Sequence, residues 1–247
     1  MNAMKSTIGW VSALALGLSS LSLLGVAGCG TEYVEEEDEL APEFVQVGQE
    51  EIPGSVEYAP GPYGYDKGKI IPNFKFIGFA SYTNDPGMTW VQLADFYNPT
   101  GTEVFPEGSP YGAGTPKPKA LLMLMSAAWC GPCKQEANEL KTKYPNEILP
   151  GGGHVLGLLV EAVNGDPADY PTAASWAQAY GVQYTLAIDP TRQALSIYEP
   201  AFPGNMIIRT SDMKIIEIVA GAPQPGTAGY TQFWGTFEAV KNGTYEG

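Results

Sequence analysis

Histidine and cysteine are scarce in the 247-residue sequence, which contains one histidine, His154, and three cysteines. The Ser-His-Asp triad, the HExxH zinc site and non-haem iron sites would all have to use that one histidine, so most His-based chemistry is excluded. We expect His154 to begin a strand as a hydrogen-bonded or exposed residue without a functional role. Three cysteines are also too few for a disulfide-dense scaffold.

Positive charge is scarce as well, because 13 Lys and Arg stand against 27 Asp and Glu, for a net charge of -14. Nucleic-acid binding needs cations that face phosphates, so that class of protein is excluded. Ten acids and no base lie in residues 31–60, whereas residues 61–247 carry 12 bases and 17 acids. Like charges at that density resist packing, which predicts an acidic tether over 29–60 and a folded domain over 61–247.

The first 28 residues have one base, Lys5, and no acid. Residues 8–24 form an apolar stretch of about 17 residues, which is the short limit for a membrane span. A basic start, an apolar middle and small residues at the end predict a secretory signal over 1–28. A membrane anchor is the alternative, but acidic rather than basic residues follow the stretch.

The junction Val26-Ala27-Gly28-Cys29 resembles a bacterial lipoprotein signal. The resemblance implies cleavage before Cys29 and acylation of Cys29, and several acyl chains would anchor the protein stably. An ordinary signal followed by a chance cysteine is the alternative. Gly30 stands where inner-membrane retention would place Asp, so we expect a lipid-anchored protein of the cell envelope that faces the periplasm, on the outer rather than the inner membrane.

Apolar patterning predicts an α/β sandwich with a mixed sheet in the order β-α-β-α-β-β-α. The run at 120–125 suits a strand buried on both faces, and 133–144 has helical spacing that Pro145 is expected to stop. Further strands are predicted at 154–160, 184–188, 205–209 and 214–219, and helices at 171–180, capped by Gly181, and at 230–240. Before them we expect one or two strands at 70–82, a strand end or short helix at 89–97, and a loop at 98–118.

The candidate reactive segment is Trp129-Cys130-Gly131-Pro132-Cys133, where the first buried strand meets the helix. Unpaired N–H groups at a helix N-terminus stabilise a thiolate, so Cys130 is expected to be an exposed nucleophile with a lowered pKa. Cys133 begins the buried stripe and is expected to be shielded, to resolve a mixed disulfide and to pair with Cys130.

Two other interpretations of the cysteine pair remain open. A zinc site needs four ligands, and only Cys29 and His154 are left to complete one, so no metal is expected. A purely structural disulfide is the second alternative, and it would have the same geometry as a redox-active one.

The segment MSAAWCGPCKQE, residues 125–136, resembles the active-site segment of thioredoxin-fold proteins, and the likeness extends over about residues 70–243. The exported chain, the β segment ahead of the motif and the acid six residues after Cys130 resemble the TlpA-like branch of extracytoplasmic thiol-disulfide oxidoreductases. The resemblance implies a thioredoxin-like three-layer sandwich with a mixed central sheet and an N-terminal β extension, and an activity that needs no cofactor.

The same resemblance assigns roles to three further residues. Pro203 would be the cis-proline that faces the disulfide, with Pro200 as the alternative. The family usually has an aliphatic residue or Thr before this proline and Thr after it, whereas this sequence has Phe202 and Gly204. Phe202 would either line the edge of the groove that binds a partner or pack in the core.

Glu136 would exchange protons with Cys133, or else be a solvent-exposed helix residue. Leu124 stands six residues before Cys130, where thioredoxins proper carry an acid, so Glu136 is the nearby candidate. Trp129 would pack beside the disulfide and limit access to it, or serve packing alone.

These features predict a thiol-disulfide oxidoreductase, and the Gly-Pro spacer resembles the reducing members of the fold. The expected partners are exported proteins with disulfides or dithiols and a membrane thiol electron donor or acceptor. The main alternative is a non-enzymatic thioredoxin-fold lipoprotein that acts as a binding or scaffold module. A peroxiredoxin-like peroxidase would need Thr or Ser where Ala127 stands, and a Sco-like copper chaperone would need a different cysteine spacing.

Overall fold

The computed structural model describes residues 57–196 and 201–247. Within them, one seven-stranded sheet has the strand order β2-β1-β5-β4-β3-β6-β7. The strands are β1 (Lys75–Phe79), β2 (Thr89–Gln92), β3 (Ala120–Ala127), β4 (Gly153–Glu161), β5 (Thr185–Ile188), β6 (Gly204–Arg209) and β7 (Lys214–Ala220). The α-helices are α1 (Gly131–Lys143), α2 (Tyr170–Tyr180) and α3 (Ala228–Lys241).

The sheet is mixed, as the patterning predicts. Strands β3, β4 and β5 run parallel, whereas β6 lies antiparallel to β3 and β1 lies antiparallel to β5. All eight residues of β3 are buried, because helices cover one face of the sheet and the N-terminal segment covers the other. The continuous apolar run that begins at Ala120 is thus explained by burial on both faces.

Two apolar clusters sandwich the sheet. Leu122 and Leu124 of β3 pack with the buried faces of α1, α2 and α3. Leu121, Met123 and Met125 point to the opposite face, among residues of the N-terminal β extension. Successive side chains of β3 therefore point alternately to the helices on one face of the sheet and to a layer of residues that precede β3 on the other.

The expected stop at Pro145 is wrong in one respect. The α-helix does end at Lys143, but the backbone continues as a π-helical turn over Tyr144–Ile148 and a 3-10 turn over Leu149–Gly151. Pro145 lies in the first turn of this π-helical segment, and its missing N–H interrupts the α-helical hydrogen-bond pattern there. The buried side chains of Tyr144 and Ile148 keep this continuation on the core.

The other helix ends follow their sequence signals. Asp169 caps α2, since its carboxylate accepts the Thr172 backbone N–H at 2.9 Å. Gly181 ends α2 with a φ of 57°, a left-handed conformation that glycine adopts without strain. The region at 89–97 contains both predicted alternatives, because β2 leads directly into a 3-10 helix at Leu93–Phe96.

The last residues of the stretch assigned to the tether lie on the domain. The Tyr58 hydroxyl donates to the Ile71 carbonyl at 2.8 Å. Ala59 is buried in the apolar cluster that contains Leu121 and Met123 of β3. The signal at 1–28, Cys29 and most of the acidic stretch lie outside the described residues. None of the helices in the described part of the chain has the length and apolar content needed to span a bilayer.

Replacement of Leu122 by Ala tests the importance of the helical side of the core. Leu122 is fully buried, so we expect a loss of about 2–5 kcal/mol in the free energy of unfolding. The matched control is Leu149→Ala at a half-exposed position, which should cost less than about 0.5 kcal/mol. Denaturant titration of the oxidised protein measures both, and equal losses would contradict this description of the core.

Candidate active site

Cys130 and Cys133 form a disulfide at the junction of β3 and α1. The S–S distance is 2.08 Å and the two Cα atoms are 5.3 Å apart. Cys130 is the N-cap residue of α1, and its Sγ accepts the backbone N–H of Cys133 at 3.1 Å. Pro132 lies in the first turn, where a backbone N–H has no helical acceptor to lose. The expected pairing of the two cysteines is therefore present.

The expectation that Cys130 is exposed is wrong for the disulfide form. Cys130 is 2% exposed and Cys133 is fully buried. The Cys130 sulfur turns back toward Cys133, because both the S–S bond and the N–H···S hydrogen bond require that direction. A partner sulfur would therefore have to react with a Cys130 sulfur that does not protrude from the surface.

The start of α1 is suited to a thiolate. The first turn contains no acid, so no carboxylate opposes a negative charge there. After reduction, the Cys133 N–H that now faces Cys130 Sγ, together with the helix dipole, would stabilise the Cys130 anion. The electrostatics thus favour nucleophilic chemistry at the first cysteine.

Trp129 forms part of the rim beside the disulfide. Its side chain is 47% exposed, and its ring meets Phe202 edge to face at 5.5 Å between centroids. The indole Nε1–H donates to Glu161 Oε2 at 2.8 Å, and the other Glu161 oxygen faces Arg192 at 3.3 Å. Sequence reasoning did not identify Glu161, although it pairs in the sheet with Ala127 at the end of β3.

The Phe202–Pro203 peptide is cis, as expected for Pro203. The pairing of Gly204 with Met125 brings this segment to the end of β3 that carries the cysteines. The Pro203 carbonyl accepts the Gly221 N–H at 2.7 Å, which ties the segment to the end of β7. The alternative, Pro200, lies outside the described residues.

Glu136 lies on the buried face of α1, three residues after Cys133. It is 5% exposed, so the solvent-exposed alternative is wrong. Burial raises the pKa of the Glu136 carboxyl to about 8, although a hydrogen bond from Asn205 lowers it in part and nearby Glu139 raises it further. A carboxyl of this kind can take up or release a proton near neutral pH.

His154 is held in a network at the other end of β4, near its first residue. Its ring nitrogens meet the Tyr144 hydroxyl at 3.0 Å and the Thr185 hydroxyl at 2.8 Å. Because Thr185 donates to the Ala80 carbonyl, it accepts from His154 Nε2–H, and Nδ1 accepts from Tyr144. Burial lowers the pKa of His154 to about 4, so this residue is a neutral hydrogen-bonded one, as expected.

Among the residues that the structure describes, no three His, Cys, Asp or Glu side chains converge to form a metal-binding group. The two sulfurs that a zinc site would use are bonded to each other.

A disulfide-bonded cysteine pair follows a central parallel strand, and a cis-proline precedes an antiparallel hairpin. Together these features define a thioredoxin-like fold. The sequence profile of the AhpC/TSA family matches residues 113–216, which include the cysteine pair. A comparison with curated proteins finds no match.

Two of the similar solved structures have TM-scores above 0.5 and show the same fold. A hypothetical protein from Sinorhizobium meliloti 1021 has a TM-score of 0.52 and 16% identity, over 74% of this chain and 88% of that one. An uncharacterized conserved protein from Geobacillus kaustophilus has a TM-score of 0.51 and 15% identity, over 74% and 87%. A proposed thiol:disulfide interchange protein DsbE from Chlorobium tepidum has 0.48 and 21%, over 72% and 99%.

Glu136→Gln should change how stability depends on pH. The folded-state pKa of about 8 lies above the unfolded value near 4.5, so the folded protein binds the extra proton between these values. Wild-type stability should therefore lose roughly 2–5 kcal/mol through this group as pH rises from 4.5 to 8. Glu136→Gln should remove that loss.

Denaturant titrations at several pH values measure this effect as the difference between wild type and variant. The comparison cancels the opposite contribution of His154, which stabilises the fold as pH rises from about 4 to 6.5. A difference that stays constant across this range would contradict a buried, protonated Glu136.

Proposed function

We propose that the protein is a thiol-disulfide oxidoreductase that reduces disulfides in exported proteins with its Cys130/Cys133 pair. The observation that carries this proposal is the disulfide at the N-cap of α1, with a backbone N–H directed at the Cys130 sulfur. The match of residues 113–216 to a redox family supports it.

The reduced pair would act in two steps. The Cys130 thiolate attacks one sulfur of a partner disulfide, and the second partner sulfur leaves as a thiolate. Glu136 then accepts the proton of Cys133, whose sulfur attacks Cys130 Sγ and releases the remaining partner sulfur as a thiolate. The partner gains two electrons, and the Cys130–Cys133 bond seen in the structure is restored.

The Gly131-Pro132 spacer supports the reducing direction, since thioredoxin lies near -270 mV at the reducing end of a range that extends to about -120 mV. Each turnover leaves the protein oxidised, so a membrane thiol donor would have to return two electrons. The signal over 1–28 and acylation at Cys29 would place the domain in the cell envelope, facing the periplasm, where such donors and exported substrates meet.

A peroxidase is the second candidate, because the matched AhpC/TSA profile favours it. In that reaction the Cys130 thiolate would attack a peroxide oxygen, and the O–O bond would break with loss of hydroxide or alkoxide. Cys133 would then attack the sulfur of the resulting sulfenic acid, displace water and close the disulfide. Ala127 supplies no hydroxyl at the position that the peroxidase motif requires. A module that only binds partners through the fold is the non-enzymatic alternative.

Cysteine replacement separates these candidates. Reduced wild type should reduce insulin disulfides with a dithiol donor present. Cys130→Ser should lose this activity because it lacks the attacking sulfur, and Cys133→Ser should accumulate a mixed disulfide that mass spectrometry detects. The matched control is Cys29→Ser, expressed without the signal, which should retain full activity.

Two results would replace the proposal. Turnover of hydrogen peroxide without reduction of insulin would identify a peroxidase. A wild type that turns over neither substrate at any donor potential would favour the binding module.

Lipidation makes a separate prediction for the full-length precursor. We expect Cys29→Ser to abolish incorporation of labelled fatty acid and to release the protein from the membrane fraction into the soluble one. Retention of the label by the variant would place acylation on another residue.

A further inference from the structure

Two buried polar side chains meet between α1 and β6. Glu136 and Asn205 are 5% and 0% exposed. The Asn205 side chain lies close enough to the Glu136 carboxyl to act on it as a hydrogen-bond donor, which lowers the pKa of that carboxyl in part. Within the described residues, three buried side-chain polar atoms have no hydrogen-bond partner: Glu136 Oε2, Asn205 Oδ1 and Trp234 Nε1. Two of the three belong to this one pair.

Both unpaired atoms of the pair are acceptors, which is informative because buried polar atoms are rarely left without a partner. A carboxylate and an amide can share only the amide N–H, so the amide oxygen and the second carboxylate oxygen remain unsatisfied. A carboxylic acid and an amide can pair side by side through two bonds, N–H to carboxyl oxygen and O–H to amide oxygen. One proton on Glu136 Oε2 supplies the donor that this arrangement lacks.

We propose that Asn205 is a positioning residue that holds the Glu136 carboxyl in place while it exchanges a proton with Cys133. In the acid form Asn205 Oδ1 accepts the O–H, and in the carboxylate form Asn205 Nδ2 donates to the charged oxygen. The inference rests on the proposed function, and it deepens the step in which Cys133 is deprotonated.

The proton balance of that step is simple. Cys133 S–H gives its proton to Glu136 Oε2, and the sulfur's electron pair forms the bond to Cys130 Sγ. The bond between Cys130 and the partner breaks, and its electron pair leaves on the partner sulfur. Cys133 and Glu136 are three residues apart on one helix, so their side chains lie on the same face.

The position of Asn205 in the sheet explains why it can serve this role. Asn205 pairs with Leu124 of β3, and its Nδ2 also reaches the Gly221 carbonyl at 3.4 Å. Leu124 is apolar, so Asn205 brings a polar group to α1 from this part of the sheet. The other titratable groups near Glu136 are Glu139 on α1 and the hydroxyl of the buried Tyr184, the residue immediately before β5.

The test is a double-mutant cycle of Asn205→Leu and Glu136→Gln. The readout is the rate at which Cys133 releases a partner from the Cys130 mixed disulfide, followed as a function of pH. Asn205→Leu should slow release about tenfold at pH 7 and move the inflection to higher pH, because a positioned base typically contributes about a hundredfold or more. When Asn205→Leu is combined with Glu136→Gln, it should have no further effect.

A second readout does not depend on turnover. Carbon NMR of the Glu136 carboxyl in the oxidised protein should show a higher titration midpoint in Asn205→Leu. The bond to the carboxylate is worth more than the bond to the neutral acid, so its loss disfavours the charged form. The hydroxyl of Asn205→Ser both donates and accepts, so this variant should bring the midpoint part of the way back to the wild-type value. It is also a milder replacement to use where Leu disturbs folding.

Met206→Leu is the matched control, because Met206 is the next residue of β6 and faces the opposite apolar cluster. It should leave both readouts unchanged. Equal slowing by Asn205→Leu alone and in combination with Glu136→Gln, or an unchanged midpoint for Glu136, would overturn the role of Asn205. A wild type without disulfide exchange would instead refute the proposed function, while the NMR titration would still decide the pairing.

Discussion

The hydrogen bond from the Cys133 N–H to Cys130 Sγ is the contact on which the site depends. It exists because β3 ends and α1 begins within three residues, so that Cys130 caps the helix with its sulfur. The same geometry places Cys133 one turn inward, where no water reaches it. In the proposed reaction, the Cys130 sulfur carries negative charge as a thiolate, and the Cys133 sulfur remains neutral until it is deprotonated.

The proposed reaction needs a group that accepts the Cys133 proton, and we assign that role to Glu136. Glu136 lies on the buried face of α1, where a charged carboxylate is poorly solvated, so burial raises the pKa of its carboxyl to about 8. Ionisation of Glu136 therefore destabilises the fold, and the same burial lets this carboxyl hold or release a proton near neutral pH. Asn205 limits that cost from the neighbouring strand, so the acid and the amide are best understood as one unit.

The sequence predicts the features that depend on residues close together in the chain. The cysteine pair at the start of α1, the mixed sheet and the Gly181 cap follow from residue type and spacing. The assignment of Pro203 as the cis-proline of the site rests on a family resemblance alone, because its place next to β3 depends on the long-range pairing of β6 with β3. The burial of Glu136 stayed open in the sequence for the same reason, and Asn205 carried no signal there. Residue spacing does not show which way a sulfur turns, so the predicted exposure of Cys130 is wrong for the disulfide form.

Titration of the Cys130 thiol in a reduced Cys133→Ser protein tests the central claim most directly. Ultraviolet absorbance of the thiolate, followed against pH, gives the pKa of that sulfur. We expect a pKa at least one unit below the value of about 8.5 for free cysteine, since the N-cap position stabilises the anion. A value at or above that of free cysteine would contradict the account.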